Sequence, residues 1–152
     1  MRQTDLRAAF WDGLRLRAIV KPDWHLTEFR HVHGNDAYVE FDERLGLGFR
    51  PRAVFLLKDN QLRAEILTTS RAGLELLDRL ASAGGRLATV NGGIAEASVS
   101  DGRSDGKVQV VWRDAMTSNS SLWPVHHDWI GVTLCDLRET MIPLIAKARA
   151  AP

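Results

Sequence analysis

Two short runs, Arg52-Ala53-Val54-Phe55-Leu56-Leu57 and Leu62-Arg63-Ala64-Glu65-Ile66-Leu67, stand on either side of Lys58-Asp59-Asn60-Gln61. No other part of the chain restricts its fold as much. Asp and Asn tolerate the positive φ that tight hairpin turns need, so the whole segment reads as a β-hairpin. The first run is apolar at consecutive positions, which suits a strand buried on both faces and so central in its sheet.

Other strands follow from alternation. Ala37-Tyr38-Val39-Glu40-Phe41 is a short half-buried strand, and Val108, Val110 and Trp112 alternate with Lys107, Gln109 and Val111 in another. Arg86 to Val90 and Ala95 to Ser100 flank Asn91-Gly92-Gly93 as a further pair of strands. Leu45-Gly46-Leu47-Gly48-Phe49 is apolar but carries two glycines, the mark of a bulge or bend. Residues 101–106 and 117–121 are polar loops.

Three segments have helical periodicity. Leu6, Phe10, Leu14 and Ala18 share a stripe, with Thr4 as its cap, and Pro22 stops the helix after about Val20. Ser70 caps a second helix with a stripe of Leu74, Leu77, Leu80 and Ala81, closed by Gly84-Gly85. Trp123, His127, Ile130, Leu134, Leu137 and Met141 form the apolar face of a third, capped by Ser120 or Ser121 and ended or kinked at Pro143. Residues 21–35 read as an irregular connection. The fold class expected is α+β: an antiparallel sheet with an N-terminal helix, a central helix and a long C-terminal helix packed mostly on one face.

The chain of 152 residues is expected to be a single domain spanning 1–152. It has 12 basic and 11 acidic residues up to position 76, then 8 and 8, so neither half carries a field that would draw phosphate or an anionic surface. No window holds 18 apolar residues in succession, so no membrane span is expected. A lone Cys135 allows no intrachain disulfide, which fits a cytoplasmic location. No glycine cluster has the spacing of a phosphate loop, and no cofactor is expected.

Several segments resemble a known family when taken in order. They are Phe10-Trp11, the run from Phe55 to Ile66, Leu77-Asp78-Arg79-Leu80, Lys107-Val108-Gln109-Val110, and Trp123-Pro124-Val125-His126-His127-Asp128-Trp129-Ile130. Together they are similar to a bacterial domain family of unknown function that occurs alone or C-terminal to restriction-endonuclease-like nuclease domains. The likeness runs from Phe10 to Ile145, is weak over residues 21–50, and lacks the family's charged stretch around Gly102 and Gly106. It implies association with restriction, phage defence or mobile elements, and no mechanism.

Two sets of residues are candidate sites. Asp59 and Glu65 on the hairpin could be the remnant of a metal-dependent nuclease, but the position of the nuclease lysine is Leu67, and a turn aspartate with a solvent-facing glutamate is the simpler reading. Trp24, His25, Arg30, His31 and His33 cluster in the irregular connection and are the chosen interaction surface, since Trp and Arg enrich interfaces, although the simpler reading is that Trp24 only covers one edge of the sheet. His25, His31 and His33 could also be read as zinc ligands, but no carboxylate fixes a geometry and no metal is expected. His127 shares the apolar face of the last helix and reads as a packed, hydrogen-bonded core residue, with Cys135 an inert, half-buried thiol. The function expected is therefore binding without catalysis. A protein partner or self-association comes first, with a nucleic-acid-binding accessory domain or a degenerate nuclease as the alternative.

Overall fold

The β-hairpin sits at the centre of a seven-stranded antiparallel sheet in the computed structural model, which describes residues 2–26, 29, 30 and 37–151. The strands are β1 (Phe29–Arg30), β2 (Tyr38–Phe41), β3 (Arg50–Leu56), β4 (Gln61–Thr68), β5 (Arg86–Val90), β6 (Gly93–Val99) and β7 (Gly106–Trp112). Their order is β1-β2-β3-β4-β7-β6-β5, so β4 is the middle strand and β3 its neighbour. The turn between β3 and β4 places Asn60 at φ 52°, and the β5–β6 turn places Asn91 at 47° and Gly92 at 81°. Both are the left-handed conformations that a tight hairpin demands and that Asn and Gly accept at least cost.

Three helices cover one face of this sheet: α1 (Gln3–Ile19), α2 (Arg71–Ser82) and α3 (Trp123–Ala150). The strand register sorts the side chains. Phe55, Leu62, Ala64, Ile66, Val108 and Val110 point to the helical side and are buried, joining Phe10, Trp11, Leu14, Ile130, Leu134, Leu137 and Met141 in one continuous core. Phe10 of α1 stacks on Phe55 of β3 with ring centroids 3.9 Å apart, and Trp123 of α3 meets both rings edge-on. On α2, Leu74 and Leu77 close over Gly106 so tightly that a Cβ there would lie 2.6 Å from Leu77 Cδ1.

Local details depart from expectation where packing outweighs local preference. The first helix begins at Gln3 with Arg2 in the cap position and no side-chain cap, so Thr4 lies inside the helix. Ser70 does cap α2, its Oγ accepting from the Gly73 amide at 3.1 Å. Leu76 is buried there while Ala81 is exposed, because the helix is rolled to meet β6 and β7. Neither Ser120 nor Ser121 caps the last helix. Asn119 Oδ1 accepts from the Ser121 amide at 3.2 Å and opens a 3₁₀ turn, Ser120–Leu122, that leads into α3. Pro143 neither ends nor bounds α3, which continues to Ala150. Met141 and Ile145 on either side of the proline are both fully buried, and their packing outweighs the cost of roughly 3 kcal/mol for the missing amide and the ring clash. Residues 21–26 are not wholly irregular, since Pro22–Trp24 form a 3₁₀ turn.

No helix is long and apolar enough to cross a membrane among the described residues.

Candidate functional site

Of the set drawn from the irregular connection, the structure describes the side chains of Trp24 and His25, and it does not bring Trp24 to the surface. Trp24 is 4% exposed, and its indole lies flat in a slot over Gly131 of α3. Arg138 holds the segment from α3, its Nη2 donating to the Trp24 carbonyl at 2.8 Å while its Nε donates to Glu43 at 2.6 Å. The Cys135 thiol also donates to the Asp23 carbonyl at 3.3 Å, and burial pushes its pKa up. Trp24 is thus a core anchor and is not free to meet a partner. Burying the indole has a physical cause: a glycine in the middle of an apolar helix removes the one side chain that would stand in its way. His25 follows at φ 58° and is exposed. Arg30 ends β1, where its backbone alone is described, and His31 and His33 lie outside the described residues.

Asp59 and Glu65 are likewise not brought together. Asp59 is exposed in the turn, and Glu65 is the fifth residue of β4, roughly 13 Å along the strand from its start. Nor is Glu65 solvent-facing in the ordinary sense. It is 0% exposed, although it points to the sheet face that carries none of the three helices. Arg52 Nε of β3 donates to its Oε1 at 2.7 Å, and Lys107 Nζ of β7 stands 3.3 Å from its Oε2. Lys107 is the register partner of Leu67, so a lysine does stand beside the glutamate, supplied by the neighbouring strand. The Arg52 guanidinium, however, occupies the other oxygen. Among the described residues no three His, Cys, Asp or Glu side chains gather as a metal would need.

Register extends this contact into a polar row across the sheet. The paired positions run Arg30, Glu40, Arg52, Glu65, Gln109, Glu96, Arg86, one from each strand from β1 to β5 in sheet order. Arg50 Nε donates to Glu40 at 2.9 Å, and Arg52 also lies over the Tyr38 ring, 5.2 Å from its centroid. Val54 and Leu67 are buried on this face but stand apart from the continuous core on the helical side. These functional candidates escape a reading of single strands. The signal is present as Glu40, Arg52, Glu65, Gln109 and Glu96 at outward positions of five separate strands, and only the register lines them up.

The histidines of α3 do another job. His126 Nε2 contacts the Ala115 carbonyl at 2.6 Å, and His127 Nε2 contacts the Phe10 carbonyl of α1 at 2.9 Å. Each ring carries its proton on Nε2 to make that bond. Desolvation pushes the pKa of both down, that of His127 to about 4, and the Arg17 charge adds to the shift of His127. The folded protein therefore holds His127 neutral where an unfolded chain would bind a proton. Stability from this residue is fully present above pH 6.5, falls as pH drops from about 6.5 to about 4, and is lost below. We expect a loss of about 3 kcal/mol across that window, with His126 adding in the same direction. Denaturant titrations at pH 7 and pH 4 should show it, and His127→Gln, which can keep the donor to Phe10, should flatten the difference. An equal pH response in both proteins would refute the assignment.

Searches of family models, of curated proteins and of solved structures return no match to this chain, so the site rests on its own geometry.

Proposed function

We propose that this chain is a binding module whose working surface is the helix-free sheet face, and that its partner is a protein. One observation carries the reading: a glutamate, fully buried and ion-paired, lies at the centre of a face that no described helix covers. A mixed-sign network held on rigid strands offers register-specific pairing to another protein, because wrong partners meet like charges. The same mixture disfavours nucleic acid. Arg52 and Lys107 are already engaged by Glu65, and Arg50 by Glu40, so these three cations are held by carboxylates of the chain itself and are not free for phosphates. The resemblance of the hairpin and of the Trp123–Ile130 segment to a nuclease-associated family makes a restriction or defence system the proposed setting; that part rests on the residue likeness alone.

A photo-crosslinking residue at Arg63, on the helix-free face, should capture a discrete protein in cells of the native host. The same residue at Val132, exposed on α3, should not. Capture from position 132 alone, or from neither position, would overturn the proposal.

A further inference from the structure

We infer that the groove between β6 and β7 on this face is a receptor for one arginine side chain of the partner protein; the inference rests on the binding-face reading above. The groove has a volume of about 330 Å³ and is lined by Ile94, Glu96, Gln109, Val111 and Arg113 beside the Gly92-Gly93 turn. Polar groups in the groove and beside it are short of donors. Gln109 Oε1 is buried and accepts no hydrogen bond, and Glu65 Oε2, directly across the β4–β7 pair, accepts none either, although Lys107 stands near it. Glu96, the register partner of Gln109 on the other side, is exposed and makes no ion pair among the described residues.

The amide of Gln109 links these facts. Oxygen and nitrogen exchange places when the amide turns by half a revolution, and the hydrogen-bond network decides between the two orientations. Glu65 and Gln109 are register partners, with Cβ atoms about 5 Å apart in such pairs, and each has one buried oxygen without a donor; turning the amide exchanges the buried Gln109 oxygen for a nitrogen that Glu65 Oε2 can accept from, and moves the oxygen to the unburied side that lines the groove. Two acceptors, the Gln109 amide oxygen and the Glu96 carboxylate, then converge on the same space above the apolar floor of Ile94 and Val111. A guanidinium is the donor that fits: planar, forked, always charged, and carried on an apolar stem that can lie along the floor. Arg113 also lines the groove and has no ion pair among the described residues, so the arginine should be followed by an acidic residue, which pairs with Arg113 and offsets its repulsion of the guanidinium.

The test is an NMR titration of the full chain with N-acetyl-arginyl-aspartate amide and with its citrulline counterpart, a neutral isostere. The arginine peptide should shift the amides of Gly93, Ile94, Val111 and Arg113 and the side-chain NH₂ of Gln109, and citrulline should bind at least about fivefold more weakly, since the charge-assisted bonds are lost. Glu96→Gln and Gln109→Leu should each weaken binding of the arginine peptide, and Glu96 is exposed enough that its variant will fold. Equal binding of citrulline, no shift at these positions, or tighter binding of free arginine than of the blocked peptide would overturn the inference. If Arg63 crosslinks a protein while the peptide leaves the groove unmoved, the groove fails and the binding face stands. If the peptide binds but the face captures nothing, the binding-face reading fails, and with it the assignment of the groove to a protein partner.

Discussion

Replacing Trp24 with alanine is expected to lower the unfolding free energy by about 3–5 kcal/mol, the range for deleting a buried large aromatic. The indole fills a slot that only Gly131 leaves open: a Cβ at that position would overlap Cδ2 and Cε2 of the ring. Gly131→Ala should therefore cost about 1–3 kcal/mol by overpacking, although in an open helix alanine would gain up to about 1 kcal/mol over glycine. The two changes should be strongly coupled. With Trp24 already removed, Gly131→Ala should become neutral or favourable, because nothing is left for the methyl group to strike. Denaturant unfolding of the four proteins closes this cycle. Additive losses would mean that the indole does not sit on Gly131.

Arg52→Ala is expected to cost about 3 kcal/mol, out of proportion to the loss of a part-exposed arginine. The cause lies in what it leaves behind. Glu65 stays buried with its charge, its 2.7 Å partner is gone, and Lys107 at 3.3 Å is the one cation still against it among the described residues. A buried pair broken on one side strands a charge, whereas replacing both members with apolar groups is often close to neutral. Arg52→Leu combined with Glu65→Leu should therefore recover most of the loss, measured again by equilibrium unfolding. An Arg52→Ala protein as stable as the parent would show that the carboxylate is hydrated and not enclosed.

Local chemistry made much of this fold legible. The turn at Asp59-Asn60, the cap at Ser70 and the Asn91-Gly92 corner each rest on two or three adjacent residues with strong conformational preferences, and each is where the pattern put it. The stripe from Trp123 to Met141 was equally plain. Pro143 was misleading because its helix-breaking cost is local, while the burial of Met141 and Ile145 that offsets it depends on a sheet assembled elsewhere. Trp24 was misleading for the opposite reason. In a polar, turn-rich segment it could be read as an exposed anchor or as cover for a sheet edge, and the clue to where it is buried lay 107 positions away as a glycine inside an apolar helix. The polar row could not be read at all from one strand. Arg52 and Glu65 are 13 positions apart, Glu65 and Gln109 are 44, and only pairing across strands gives them a common line.

The tryptophans have an optical consequence. Trp123 and Trp129 belong to α3, Trp24 lies on Gly131 of the same helix, and Trp112 packs 5.7 Å from Trp129 and 5.2 Å from His126. Four of the five indoles therefore report on one helix and its bed. Intrinsic fluorescence from this protein is close to a single-site signal: its colour and intensity follow the seating of α3, and events confined to the opposite face of the sheet should leave it nearly unchanged.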